Sequence, residues 1–266
     1  MKKKLHCHIY IPSRGRAKSC TTPLALVEDG IDFTLVVEPQ EYNDYLSEFP
    51  STSIVVLDKN DQGIVYARNA IKELSRARGD TYHWQFDDDL KYFRLRIEAE
   101  KKNIIVKPSE AIGRVEEYVQ QYTNIGIASP RHIRFAYTYD GRPGVSINCQ
   151  CCSFLLIRND NNIRWRAGVI DDTDYSVQIL ASGLCTAVFN RIVYDCPPTL
   201  TEDGGMSDFS GSAANKRAEG LRDMWPGCFA LRTDKNGAFR VKPSQIWRKF
   251  PQRPLKGKDS EYLFDV

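Results

Sequence analysis

Strand and helix signals alternate through the first half of the chain, and a chain that alternates in this way is restricted to a largely parallel sheet covered by helices on both faces. Apolar stretches predict strands over 5–11, 33–37, 53–57 and 81–86. Between them fall helices over 21–28, opened by Thr21 or Thr22 with Pro23 in the first turn, over 40–49, and over 63–78. The third is the best defined, because Ile64, Ala67, Ala70, Ile71, Leu74 and Ala77 recur at helical spacing and Gly79 ends it. Another amphipathic helix is predicted over 108–122 through Ile112, Val115, Val119 and Tyr122. Beyond it the pattern is less regular, with strands expected over 125–128, 149–157 and 184–194 and a helix over 172–182 closed by Gly183. The run over 201–212, carrying Gly204, Gly205 and Gly211, is expected to be a mobile loop.

At 266 residues, 42% hydrophobic and 27% charged, the chain has the composition of a soluble globular protein and suits one extended α/β domain. No apolar run reaches the roughly 18 residues of a membrane span, and the start, Met1 to His8, lacks the apolar core of a signal peptide. A cytoplasmic protein with no membrane partner is the expectation. The eight cysteines are expected to be buried reduced thiols, with Cys149 and Cys151 alternating along one face of a strand and not forming a zinc site.

A net charge of +3 does not establish a nucleic-acid partner, but the charge is unevenly placed. Arg240, Lys242, Arg248, Lys249, Arg253, Lys256 and Lys258 follow one another with no acid between them, and Trp247 and Phe250 lie among them. Such a segment suits a phosphate backbone, or equally a solvated tail held extended by Pro243, Pro251 and Pro254.

Asp87, Asp88 and Asp89 follow the predicted strand over 81–86 directly. Adjacent carboxylates repel, and a hard divalent ion, Mg2+ or Mn2+, relieves that repulsion while leaving coordination positions for a diphosphate. A turn or an acid-decorated helix start is the plainer alternative. Ligands of open α/β sheets bind beyond the carboxyl ends of the strands, where Arg14, Arg16, Glu38 and the aspartates would all lie. Arg14 and Arg16 offer cationic forks for phosphate, and Arg68 sits one helix before the aspartates. A second acidic group, Asp171, Asp172 and Asp174, stands at a predicted helix start, where it either caps that helix or supplies a general base to an acceptor hydroxyl; Asp171 or Asp172 takes the proton while the other caps. The run from Asp58 to Gly63 has the look of a calcium loop, but its twelfth position is Asn69 where a glutamate is required, so it is read as a loop lining a nucleotide pocket. The four histidines adjoin no nucleophile signature.

In order and spacing, I-P-S-R-G-R at 11–16, V-V-E-P at 36–39, G-I-V-Y-A-R-N at 63–69, F-D-D-D at 86–89 and D-D-T-D-Y at 171–175 resemble GT-A glycosyltransferases over roughly residues 4–196. The I-P-S-R-G-R and A-R-N segments together with the compact length most resemble the phage TET-associated glycosyltransferases, implicated in glycosylating 5-hydroxymethylpyrimidines in phage DNA. The resemblance implies a GT-A α/β catalytic domain over 1–200, completed at its donor and acceptor site by a loop and extension over 201–266 in the same structural unit. It implies transfer from a nucleoside-diphosphate sugar, a UDP-sugar by expectation, to a hydroxyl such as that of 5-hydroxymethylcytosine in DNA, in the host cytoplasm if phage-encoded. By the same resemblance Asp87 and Asp89 are expected metal ligands. Arg14, Arg16, Glu38, Arg68, Asp87 and Asp88 are expected to meet the nucleotide, and Asp172, with Asp171 and Asp174 beside it, aligns with the base of inverting members. Many GT-A enzymes complete the metal site with a carboxy-terminal histidine; none follows His132 here, which leaves the third position to the loop over 203–208 or to water. A nucleotidyltransferase, which would release pyrophosphate, and a non-catalytic nucleic-acid-binding module are the rival readings.

Overall fold

The computed structural model describes residues 5–97, 99–100, 102–136, 143–197, 212–235, 237–242, 246–247 and 249–257. The predicted alternation is realised as β1 (His8–Pro12), α1 (Thr21–Glu28), β2 (Thr34–Val37), α2 (Tyr42–Glu48), β3 (Ser53–Val56), α3 (Gly63–Ala77) and β4 (Tyr82–Phe86). A hairpin of β5 (Tyr92–Ile97) and β6 (Lys102–Val106) follows, then α4 (Pro108–Val119), β7 (Ile125–His132), β8 (Val145–Ile147), β9 (Phe154–Arg158), α5 (Asp171–Ala181) and β10 (Cys185–Asp195). Helix α6 (Ser212–Met224) and a hairpin of β11 (Ala230–Thr233) and β12 (Phe239–Lys242) complete the described chain.

Ten strands form one sheet in the order β3-β2-β1-β4-β9-β7-β10-β5-β6, with β8 also pairing β10. Strands β1 to β4, β7, β10 and β6 share one direction, while β9, β5 and β8 run against it. Side chains alternate between the two faces of a strand, and the core divides accordingly. Ile9, Ile11, Leu35, Val37, Trp84 and Phe86 pack under α1, α2 and α4 with Leu26, Tyr45, Ile112 and Val115, whereas Tyr10 and Val36 face Ala67 and Ile71 of α3. Leu155, Ile157 and Val188 face Tyr175 and Ile179 of α5. Burial on both faces explains why the first strands read as continuous apolar runs.

Three departures from the sequence reading have local causes. Strand β1 begins at His8, not at residue 5, because the amides of His6 and Cys7 donate to the buried Glu116 carboxylate at 3.0 and 3.1 Å in place of a neighbouring strand. The strand expected over 149–157 shrinks to β9: Asn148 and Ser153 are left-handed, at φ 57° and 59°, and the Cys149 and Cys151 amides bond to the hydroxyls of Thr186 and Ser176. Cys149 and Cys151 are therefore not neighbours on a strand face, although all eight cysteines are reduced thiols. The loop expected over 201–212 falls outside the described residues except for Ser212, which opens α6.

The basic segment is neither a free tail nor one continuous face. Trp247 and Phe250 pack against a small core of Val169, Val177, Leu221, Phe229 and Ile246. Gln252 then donates to the Leu180 carbonyl at 2.8 Å, Asn124 to that of Arg253 at 2.8 Å, and the Gly257 amide to that of Gln121 at 2.9 Å. These contacts lie at the amino end of β7 and the carboxyl end of α5, across the sheet from the loop that follows β4. Arg248 and Lys258 lie outside the described residues. No helix among the described residues is long and apolar enough to cross a membrane.

Candidate active site

The carboxyl ends of β1, β2, β3 and β4 line one edge and deliver Ser13 to Arg16, Glu38, Asp58 to Asp61, and Asp87 to Asp89 to it. The acidic loop is clamped from below by α1. The Thr22 hydroxyl donates to the Asp87 carbonyl at 2.7 Å and accepts from the Leu90 amide at 2.8 Å, while the Thr21 hydroxyl donates to the Leu90 carbonyl at 3.0 Å. The two threonines expected to open the helix thus hold the aspartates; the N-cap position is Cys20, which makes no side-chain cap.

Within the triplet the middle carboxylate turns inward. Asp88 is buried, accepting from the Ser13 hydroxyl at 2.5 Å and from Arg16 Nη1 at 2.7 Å, and burial raises its pKa against the pull of Arg16. Asp88, expected to meet the nucleotide, fixes the β1 loop to the β4 loop. Arg16 is correspondingly occupied, its Nη1 also lying 3.2 Å from Asp89. Asp87 and Asp89 remain partly exposed, and desolvation followed by repulsion from Asp87 and Asp88 pushes the Asp89 carboxyl up to about 7.

Arg68 joins the two acidic groups that the sequence keeps 82 positions or more apart in separate motifs, since Nη2 lies 2.8 Å from Asp87 Oδ1 and Nη1 lies 2.8 Å from Asp172 Oδ1 and 3.3 Å from Asp171 Oδ2. Its guanidinium is buried over the Trp165 ring at 4.4 Å, and its pKa is raised by those three carboxylates against the opposing effect of burial. Each residue of the A-R-N segment has a distinct part. Ala67 enters the core, Arg68 enters the site, and Asn69 pins the segment at Trp165 by donating to its carbonyl at 2.9 Å and accepting from its amide at 3.0 Å. Trp165 belongs to no motif, and the part played by Asn69 is not readable from one, because both depend on a loop that returns from 96 positions away.

The second acidic group separates into three environments. Asp174, 0% exposed, accepts from Arg166 Nε, Gln178 Nε2 and Trp225 Nε1, each at 2.8 Å, so it anchors the extension and is removed from the candidate bases. Asp171 is 7% exposed and lies between Arg68 and Arg217, the latter at 2.5 Å. Asp172 is 22% exposed with Arg68 as its ion-pair partner, and desolvation, with Asp171 and Asp87 nearby, holds its carboxyl up to about 7. Of the three, Asp172 is the most exposed, and a carboxyl held up in this way is suited to accepting a proton.

The loops that follow β1, β2 and β3 are knitted together beside this centre. Arg14 reaches Asp61 Oδ1 at 2.5 Å and the buried Glu38 at 3.4 Å, and the Gln40 amide donates to Asn60 at 3.2 Å. Gly15, at φ 68°, allows the turn that sends its amide to Glu41 Oε1 at 2.7 Å. Arg14 is half-exposed, the most exposed of the arginines Arg14, Arg16 and Arg68.

Among the described residues no set of three or more His, Cys, Asp or Glu side chains converges as a metal shell, and the loop over 203–208 lies outside them. Asp87 and Asp89 nevertheless fit a hard divalent ion as a two-carboxylate ligand set: both are partly exposed, both belong to one short loop, and their mutual repulsion is what a cation relieves. His132 Nε2 lies 3.1 Å from Cys196 Sγ, a pair invisible in the sequence, but burial and then Asp89 and Asp87 push that thiol up to about 12, which keeps it protonated and non-nucleophilic.

A family model described as TET-Associated Glycosyltransferase matches residues 7–205. The chain belongs to that family. It is a glycosyltransferase, with the α/β fold expected from its GT-A motifs, and the matched segment contains every carboxylate described above while ending before α6. No curated protein matches the sequence. The crystal structure of GalNAc-T7 with UDP, GalNAc and Mn2+ is similar over 74% of this chain and 44% of its own, at 7% identity and a TM-score of 0.48. This glycosyltransferase therefore spans less than half of that longer protein. A nucleotide-diphospho-sugar transferase, so described, from Desulfovibrio desulfuricans G20 is similar over 73% of this chain and 80% of its own, at 11% identity and a TM-score of 0.39. Both likenesses are too distant to bear on the chemistry.

Proposed function

We propose that this glycosyltransferase moves a sugar from a nucleoside-diphosphate sugar, a UDP-sugar, to the hydroxyl of a hydroxymethylated pyrimidine, 5-hydroxymethylcytosine in DNA, with inversion at the anomeric carbon. The observation that carries the reading is the span of Arg68, which bonds Asp87 and Asp172 at 2.8 Å each and so sets a cation-binding carboxylate and a proton-accepting carboxylate on either side of one guanidinium. Asp87 and Asp89 would hold Mn2+ or Mg2+, which when bound supplies charge stabilisation to the departing diphosphate. Arg14 turns to the phosphates, with Glu38 and the loop over 58–61 walling the nucleotide. Asp172 accepts the acceptor's proton as the acceptor oxygen bonds to the anomeric carbon, and the carbon–oxygen bond to the diphosphate breaks with its electron pair leaving on the nucleoside diphosphate. Because Asp172 makes no bond to carbon, a single displacement inverts the centre.

Mass spectrometry of hydroxymethylated DNA and of competing glycan, protein and small-molecule acceptors, each incubated with a panel of sugar nucleotides and Mn2+, tests this reading. A mass gain of one sugar on the DNA, with release of a nucleoside diphosphate, is expected. Release of pyrophosphate would identify a nucleotidyltransferase, and failure with every DNA and donor would move the acceptor to another class.

A further inference from the structure

Helix α6 lies beyond the family-matched segment, yet it reaches the carboxylates that surround Arg68. Arg217 Nη2 lies 2.5 Å from Asp171 Oδ1, and Arg217 Nε donates to the Val169 carbonyl at 2.8 Å. The helix approaches closely enough that a Cβ at Gly220 would sit 2.2 Å from the Gly168 carbonyl oxygen, a distance no side chain tolerates. Leu221 shares a core with Val169 and with Val177 of α5, so α6 and the first turn of α5 are held in fixed relation.

Asp87, Asp171 and Asp172 all contact Arg68, and one guanidinium is shared among the three carboxylates. Arg217 is the second cation in contact with the group. It holds one oxygen of Asp171 and leaves the other 3.3 Å from Arg68, so the shorter bonds of Arg68, at 2.8 Å, go to Asp87 and Asp172. Without Arg217, Asp171 would compete for those donors in a poorly solvated setting where unmatched charge is costly.

We propose that Arg217 is a positioning residue for sugar transfer: by holding Asp171 it keeps Arg68 directed at Asp87 and Asp172, and so makes Asp172 the carboxylate that faces the acceptor. The proposal rests on the reading of Asp172 as the base. The charged and titratable groups facing Asp172 are Arg68 from α3, Asp87 from the loop after β4, Asp171 on its own helix, and the Cys152 thiol from the segment before β9. Arg217 acts on it through Asp171 and Arg68.

Steady-state kinetics of the full chain with Arg217→Gln, Arg217→Lys, Gly220→Ala and Asp172→Asn decide the matter. Arg217→Gln is expected to lower kcat about tenfold or more, to leave KM for the donor within about twofold, and to move the acidic limb of the kcat–pH profile upward by about one unit, the direction given by losing a nearby cation. Arg217→Lys should restore most of kcat and return the limb. Gly220→Ala should reproduce the defect in kcat and the limb by displacing α6, with Arg217 itself intact. A folded Arg217→Gln variant with unchanged kcat and limb, differing in melting temperature alone, overturns the proposal. If that variant does not fold, the same result in Gly220→Ala overturns it. Near-normal turnover by Asp172→Asn would instead sink the base assignment itself, whatever Arg217→Gln does.

Discussion

Arg68 donates to Asp172 at 2.8 Å from within the core, and the same guanidinium holds Asp87 at 2.8 Å, so one buried side chain determines the spacing of two functional loops. Removing it takes the guanidinium from Asp87 and Asp172 and leaves Asp171 to Arg217. Breaking a buried ion pair by deleting one partner typically costs about 3–5 kcal/mol, and Arg68→Gln is expected to show a loss of that size in urea denaturation at pH 8. The loss should shrink at pH 5. Carboxyls whose folded pKa lies above the unfolded value favour the folded state while protonated and lose that contribution as pH rises through the folded pKa, here about 7 for Asp172. Equal destabilisation at both pH values would show that Arg68 matters through packing on Trp165 and not through charge.

The two neighbouring acids of α5 differ in what they can do. Asp172→Asn keeps the shape and loses the proton acceptor, so kcat should fall by about 100-fold or more while donor affinity, measured by calorimetry, changes little. In the wild-type protein kcat should rise with pH up to about 7, as the Asp172 carboxyl ionises. Asp171→Asn should do less to kcat, because Asp171 already lies between Arg68 and Arg217. A larger defect in Asp171→Asn would transfer the role of base to that residue.

Asp88 and Asp89 are adjacent in the chain and opposite in expected phenotype. Asp89→Ala should leave the protein folded but abolish the rise in melting temperature that Mn2+ gives the wild type, since a ligand that binds only the native state stabilises it. In the wild type that rise should grow between pH 5.5 and 8, because the ion must displace a proton from a carboxyl held up to about 7. Asp88→Ala should instead lower the melting temperature without Mn2+, by leaving Arg16 and Ser13 without their buried acceptor. Thermal shifts with and without Mn2+ separate the two; an undiminished Mn2+ response in Asp89→Ala would remove it from the ligand set.

The half of the molecule that carries the nucleotide loops was legible because its strands are buried on both faces and its helices are strongly periodic, so β1 to β4 and α1 to α3 fall within a few residues of the sequence reading. The hairpin of β5 and β6 was not, since the strands mix charged and apolar residues, as in Arg94, Arg96 and Lys102, at the border of the sheet where solvent accepts both. At the proposed site the sequence offers residue types but not their partnerships. Asp88 and Asp89 look alike in sequence, and only the inward turn toward Ser13 and Arg16 separates them. Asp174 reads in sequence as a third base candidate, and only packing of the extension, which brings Arg166 and Trp225 to it, sets it apart. Arg217 carries no motif at all; its role arises where a glycine lets α6 touch the backbone at Gly168.

The distribution of positive charge leads to the last prediction, which concerns where an acceptor DNA would lie. The Arg253 carbonyl accepts from the Asn124 side chain, and Lys256 bridges Tyr122 beside the Gly257 amide that donates to Gln121, at the amino end of β7 and across the sheet from Asp87, while Lys249 donates to the Gly227 carbonyl at 2.8 Å. At the catalytic edge, by contrast, Lys91 and Arg134 are exposed beside the exposed rings of Tyr92 and Phe135, and the Lys91 amide is bonded to the Asp195 carbonyl at 2.8 Å just after the acidic loop. Cations alternating with accessible rings suit a backbone and an unstacked base. Replacing Lys91 and Arg134 together by Ala should weaken binding of hydroxymethylated DNA and flatten the dependence of log K on log salt by about 0.9 for each phosphate that is no longer neutralised, with donor affinity unchanged. Replacing Arg253 and Lys256 together should change neither quantity. Titrations at several salt concentrations distinguish the two pairs, and the reverse pattern would place the DNA on the edge away from Asp172 and so remove it as the acceptor of the transfer that Asp172 serves.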